Sequence, residues 1–141
     1  MSAKQIALWW ATVWLGSSIT LARAADAPLA DAAEIMDQER MLTLLEESAD
    51  LNRSQVDGMT ALHWVARHDN LKTAKLLVRS GANVNAANRY GVTPLTLACT
   101  NGNSALVELL LGAGADPNAT LPGGETALMT ASRTGRVGPV K

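Results

Sequence analysis

Among the side chains of this sequence that could carry nucleophilic, acid–base or metal chemistry, two histidines and one cysteine are the first to consider. His63 and His68 lie five residues apart, which places the two rings on different sides of a helix. Neither a cysteine nor a third histidine stands nearby to complete a zinc site. Cys99 has no partner for an internal disulfide, and it shares a helical stripe with Leu95 and Ala98, where a small packed thiol fits. We therefore expect these side chains to have structural roles.

Other short motifs point the same way. Gly112 and Gly114 follow a predicted helix instead of opening one, so they indicate a helix C-cap and not a phosphate-binding loop. Glu46 and Glu47 are adjacent, and helix spacing does not aim such a pair into a cleft. No serine-elbow motif occurs. The sequence predicts no catalytic residue, no cofactor and no metal site.

The elements that would position these residues are clearest in residues 91–118. Thr93 can cap a helix with its hydroxyl, and Pro94 has its φ preset for the first turn. Gly102 then breaks this helix, because glycine adopts positive φ without strain. A second helix is predicted over residues 104–111. Its inner face is expected to hold three leucines: Leu106, Leu109 and Leu110.

The same signals return every 33 residues, as shown by the equivalent helix starts Pro28, Ala61, Pro94 and Ala127. The full copies read PLADAAEIMDQERMLTLLEESADLN, TALHWVARHDNLKTAKLLVRSGANVN and GVTPLTLACTNGNSALVELLLGAGADPN, and TALMTASRTGRVGPVK begins a fourth. A fixed period of this length is typical of a solenoid.

These copies resemble the ankyrin repeat, whose pattern is G-x-T-P-L-H-x-A-A, a glycine turn, a leucine-rich helix and G-A-D-V-N. The resemblance implies an all-α repeat fold, an ankyrin solenoid of stacked helix-turn-helix units with short hairpin loops. It also implies a non-catalytic protein-binding module, in which His63 ties neighbouring loops together and Cys99 replaces an alanine. The predicted units are a capping repeat, two full repeats and a truncated one: residues 25–52, 53–85, 86–118 and 119–141.

Residues 1–24 have a different character. An uncharged apolar run at residues 6–21 follows Lys4 and precedes Ala22, Arg23 and Ala24, a small-x-small cleavage pattern. This layout predicts a signal peptide and an extracytoplasmic location, either the bacterial periplasm or the exterior. The alternative is a retained membrane anchor, although this run is short for a hydrocarbon core of about 30 Å. We expect no membrane contact after cleavage.

Charge is distributed unevenly. Residues 26–50 contain eight acids and one base, Arg40, whereas five acids and nine bases follow from residue 51. The first copy also has Met36-Asp37 and Ser48-Ala49 where the pattern has glycine turns. We interpret it as an N-terminal cap with a polar outer face, the alternative being an acidic docking end. Without residues 1–24 the chain is mildly acidic, which argues against nucleic-acid binding.

The copies differ most at the segments before each helix start, which the resemblance places at projecting hairpin tips. Together with exposed positions of the first helices, these tips would line a concave surface that binds another protein. The alternative is that the tips differ because nothing constrains them. The predicted binding residues are Val56, Asp57, Met59, Arg89, Tyr90, Val92 and Glu125 at the tips, and Arg67, Thr100 and Arg133 on the helices. We expect a monomer.

The fourth copy stops ten residues before the position that would match Asn118. We therefore expect the residues after about Arg133 to fray in the isolated chain. The alternative function is the N-terminal part of a larger exported protein whose C-terminal region carries the activity.

Overall fold

A computed structural model describes residues 27–134 of the chain. The predicted leader and the last seven residues, where fraying is expected, lie outside the described residues. The described part consists of seven helices and contains no strand. They are α1 Pro28–Glu34, α2 Gln38–Glu46, α3 Ala61–Arg67, α4 Leu71–Arg79, α5 Pro94–Asn101, α6 Ser104–Gly112 and α7 Ala127–Thr134.

The predicted helix-turn-helix repeat is confirmed, and local side chains account for the helix starts. The Thr93 hydroxyl accepts a hydrogen bond from the backbone N–H of Thr96 at 3.2 Å, which caps α5. The second helix of each copy is capped in the same way by a side chain at one repeat position. Asp37, Asn70 and Asn103 accept bonds of 3.0 to 3.1 Å from backbone N–H groups three residues ahead.

The turn inside each helix pair uses one backbone conformation, whatever the residue. Met36, Asp69 and Gly102 occupy equivalent positions and have φ values of 57°, 62° and 74°. At the end of the second helix, Ser48 has φ 58°, while its glycine counterparts have φ above 90°. The expected glycine turns are therefore left-handed, and the first copy adopts the same turns with side chains that disfavour them.

The helices form two layers with the core between them. The first helices α1, α3, α5 and α7 pack in a row, and each of α2, α4 and α6 packs against the first helix of its own copy. Leu29, Leu62 and Leu95 are equivalent residues of the row and are at most 2% exposed. Their counterpart on α7, Leu128, is 55% exposed, since no described helix follows α7.

The prediction for the inner face of α6 is partly wrong. Leu106 and Leu110 are fully buried, whereas Leu109 is half-buried at the edge of the core. Val107 takes the third buried position of this helix. The equivalent of Leu109 on α4, Leu76, is 36% exposed, so neither copy fully buries this position.

Asparagine side chains join successive copies behind the second helices. The Asn52 amide oxygen accepts a bond of 2.7 Å from the backbone N–H of Asn83, and the Asn85 amide oxygen accepts an equal bond from Asp116. The Asn85 amide nitrogen also donates to the carbonyl of Gly114. These contacts fix the offset between neighbouring copies. None of the helices in residues 27–134 is long and apolar enough to cross a membrane.

Candidate protein-binding surface

Three hairpin tips project at the repeat interval. Each is closed by a backbone hydrogen bond of 2.9 Å between its first and last residue, and each turns at a glycine with positive φ. Together with the exposed side of the first helices they form what we call the tip face. The closing bonds run from the N–H of Gln55 to Met59, from Asn88 to Val92 and from Leu121 to Glu125.

The first two tips are held together directly. The Arg89 backbone N–H donates to the carbonyl of Asp57 at 2.8 Å, and its guanidinium Nη2 donates to the carbonyl of Val56 at 2.7 Å. A Cβ at Gly58 would lie 2.9 Å from the Cα of Asn88, closer than such atoms approach. The close approach therefore requires glycine, and the two tips present one continuous surface.

His63 supports this surface from beneath. Its ring is fully buried, with Nε2 donating to the carbonyl of Val92 at 2.9 Å. Nδ1 accepts from the Thr60 hydroxyl at 2.8 Å and from the Thr60 backbone N–H. Burial lowers the pKa of His63 below its ordinary value, so the ring is neutral, as its acceptor nitrogen requires. The expected structural role of His63, tying neighbouring loops together, is confirmed.

A polar network on α1 and α3 lies beside the tips. The Trp64 indole N–H donates to the Gln55 side-chain oxygen at 2.8 Å. The Gln55 amide nitrogen in turn donates to a carboxylate oxygen of Asp31 at 2.7 Å and to one of Glu34 at 2.9 Å. Both acids belong to α1, so this network joins the first copy to the first tip.

Aromatic and cationic groups complete that network. The guanidinium carbon of Arg67 lies 5.5 Å from the centroid of the Trp64 ring, within cation–π range. The rings of Trp64 and His68 stack with centroids 6.3 Å apart. His68 is exposed, and its Nε2 donates to the carbonyl of Glu34 at 2.9 Å. We call Trp64, Arg67 and His68 the Trp64 cluster.

A model of ankyrin repeats, in three copies, matches residues 29–121 of the chain. The chain belongs to the ankyrin-repeat family. The predicted resemblance is thereby confirmed, and the chain is a protein–protein interaction module of a family that is typically non-catalytic. No curated protein matches it.

The ankyrin array places the predicted binding residues unevenly. Val56 and Tyr90 are large apolar or aromatic side chains that are 83% and 64% exposed. Four further side chains are exposed: Arg67, Arg89, Thr100 and Arg133. Asp57, Val92 and Glu125 are half-buried. The array thus brings Val56, Asp57, Arg89 and Tyr90 together at the joined tips, and Arg67 lies in the Trp64 cluster.

One predicted contact residue is misplaced and two are paired with each other. Met59 is only 5% exposed, so the expectation that it forms part of the accessible surface is wrong. Its sulfur accepts a hydrogen bond of 3.4 Å from the side-chain amide of Asn88, beneath the tips. Glu125 and Arg133 of the fourth copy form an ion pair at 3.4 Å, away from the joined tips.

The remaining candidate for chemistry is enclosed. Cys99 is 4% exposed, and burial raises the pKa of its thiol, which disfavours the reactive thiolate. Within residues 27–134, no group of three or more histidine, cysteine or acidic side chains could hold a metal ion. The Trp64 cluster was missed by sequence reasoning. A comparison of the copies could have indicated it, because only the second copy has an aromatic residue at this position. The equivalents of Trp64 are Asp31, Leu97 and Thr130.

Proposed function

We propose that this ankyrin array binds another protein through its tip face, which corresponds to the concave face that the resemblance implies. The observation that carries the proposal is the pair Val56 and Tyr90, two large exposed side chains on tips joined by Arg89. Tyrosine is among the residues that carry most binding energy at interfaces. A surface fixed before binding also loses less entropy when the partner docks.

The Trp64 cluster extends the proposed surface onto the helices. Its groups are held by stacking and cation–π contacts within the cluster, by a bond from Trp64 to Gln55 and by a bond from His68 to the first copy, so a partner would meet them already ordered. Trp and Arg are hot-spot types as well. We infer an epitope that runs from Tyr90 across Val56 to Arg67, and a monomer that presents it to a protein and not to nucleic acid.

Photo-crosslinking in the producing cell tests this surface. A photoreactive phenylalanine at position 90 should trap a partner protein, whereas the same group at position 108 should not. Glu108 is also exposed but lies on α6, outside the tip face. With the trapped partner purified, Tyr90→Ala should weaken binding by about 2 kcal/mol, roughly 30-fold, without lowering Tm. Equal trapping from both positions, or none from position 90, would contradict the proposal.

We also propose that the protein works outside the cytoplasm after cleavage of residues 1–24. The support is the basic, apolar and small-x-small layout of that segment. The mature chain should then begin near Ala25, which N-terminal sequencing of the recovered protein measures. Recovery of chains that begin at Met1 from the membrane fraction would favour the anchor instead.

A further inference from the structure

The layer of second helices contains a groove that the tip face does not share. Helices α4 and α6 pack directly against each other, but no comparably close packing joins α2 and α4. The space between α2 and α4 has a volume of about 290 Å³. Met41, which is 1% exposed, and Thr73, which is 8% exposed, are the most enclosed residues of its lining. We call this space the α2–α4 groove.

The walls of the groove are two helical stripes of matching length. Gln38, Met41, Leu42 and Leu45 line it from α2 at the i, i+3, i+4, i+7 spacing, which keeps them on one side of that helix. Opposite them, α4 contributes the enclosed Thr73 and four residues at the i, i+3, i+4, i+7 spacing, which are Lys72, Lys75, Leu76 and Arg79. Each wall therefore presents about two turns of helix. A trough of this form fits a third helix packed along the first two.

Apolar surface remains open to solvent in this trough. Leu42 is 51% exposed and Leu76 is 36% exposed, on opposite walls. At the position of Leu42 the next two copies have Lys75 and Glu108, so only the first copy places a leucine there. An apolar stripe of this kind is the feature that grooves for amphipathic helices share.

The charges of the groove have one sign. Its lining includes Lys72, Lys75 and Arg79 and no carboxylate. Throughout residues 27–134, none of these three cations forms an ion pair. The exposed acids of α2, Glu39 and Glu46, do not line the groove. Three cations along an apolar trough favour a ligand that is acidic along the edge that faces α4.

We propose that the α2–α4 groove binds an acidic amphipathic helix of a partner protein. Apolar side chains of that helix enter between Leu42 and Leu76, and its carboxylates pair with the three cations of α4. A single-headed anionic amphiphile would engage one cation and leave two unpaired, so the helix is the better match. Because the groove contains no tip-face residue, this second site is independent of the proposed function.

A displayed library of helical peptides tests the proposal on the full chain. Its peptides carry leucine at the i, i+3, i+4 and i+7 positions, with the other positions randomised among Glu, Gln and Lys. Selection on the wild type should enrich Glu. Selection on the triple variant Lys72→Glu, Lys75→Glu, Arg79→Glu should enrich Lys instead. The best acidic peptide should bind this variant at least tenfold more weakly by fluorescence anisotropy.

A second triple variant separates local pairing from net charge and from the tip face. Arg53→Glu, Arg67→Glu, Arg133→Glu changes the charge of the chain by the same amount, at exposed residues that neither line the groove nor belong to α2 or α4. It should leave the affinity within about twofold, since exposed charges farther apart than a Debye length are largely screened at physiological salt. An equal loss in both triple variants would overturn the proposal.

A matched pair tests the apolar half of the contact. Leu42→Asp should remove binding of the selected peptide, whereas Thr43→Asp should retain it. The two residues are adjacent and exposed, but Thr43 does not line the groove. Failure of any peptide to enrich, enrichment without preference for Glu, or equal effects of the two variants would refute the site. If decanoate bound in the groove and protected its residues while no peptide bound, the ligand of the groove would be an anionic amphiphile and not a helix.

Discussion

Replacing Ser48 with glycine should stabilise the protein, although it removes a side chain. Ser48 has φ 58° at the end of α2, where the equivalent residues are Gly81 and Gly114 with φ values of 97° and 95°. The serine side chain is exposed, so little packing is lost with it. The substitution therefore reports almost entirely on backbone conformation.

The expected magnitude follows from two opposing contributions. A residue with a Cβ is destabilised by roughly 1–2 kcal/mol in the left-handed region. Glycine loses more freedom on folding, which offsets roughly 0.5–1 kcal/mol of that gain. The difference spans roughly 0–1.5 kcal/mol, so Ser48→Gly should raise the free energy of unfolding by about 0.5–1 kcal/mol, the middle of that range. For a domain of this size the gain corresponds to roughly 2–8 °C in Tm.

Ser80 provides a matched control. It is also an exposed serine at the end of a second helix, but it has φ −79° and ψ −3°, a right-handed conformation. Ser80→Gly relieves no strain and should lower stability by roughly 0.5–1 kcal/mol. The reverse change, Gly81→Ser, has open space around its new Cβ and should be destabilising through φ alone.

Urea and thermal unfolding monitored by circular dichroism measure all three variants. The two serine-to-glycine changes should move the midpoint in opposite directions, with the slope in urea unchanged. A shift of the same sign in both variants would show that the left-handed turn of the first copy carries no strain. The account of that copy as a repeat with disfavoured turns would then be wrong.

Two further predictions concern the core and the buried histidine. Leu110→Ala should lower the free energy of unfolding by about 2–5 kcal/mol, because its side chain is fully buried, whereas half-buried Leu109→Ala should lower it by roughly 1 kcal/mol. Urea titration separates these values, and equal losses would contradict the assigned inner face. Because burial lowers the pKa of His63 from 6.5, the unfolded state takes up protons first, and stability should fall as pH drops below about 6.5. His63→Gln can still accept from Thr60 and donate to Val92. It should reduce the fall in stability between about pH 7 and about pH 5. An unchanged dependence of stability on pH would refute the neutral ring.

The helices were predictable because their signals are local. The Thr93 cap and the Gly102 turn each act within a few residues, so the order of residue types along the chain is enough to place them. The inner face of α6 was not predictable in this way. Leu106, Leu109 and Leu110 are accompanied by further apolar residues on nearly every side of that helix, so periodicity does not select one face.

The position of the hairpin tips was predictable, but the detail of the surface that they present was not. The exposed tip residues Val56 and Tyr90 follow from the repeat frame alone. Met59 belongs to the same segment, yet its side chain turns under the tip toward Asn88, a direction that depends on the neighbouring copy. The network around Trp64 joins residues far apart in the chain, and no local pattern specifies such pairs.

Most of the side-chain hydrogen bonds between neighbouring copies end on backbone atoms of the other copy. His63 donates to a carbonyl, Asn52 and Asn85 accept from backbone N–H groups, and Arg89 donates to a carbonyl of the preceding tip. Such contacts do not depend on which side chain the neighbour carries. Over evolutionary time the copies can therefore be duplicated, exchanged by recombination or changed at their tips without matched substitutions in the next copy. Specificity can drift while the architecture is inherited intact.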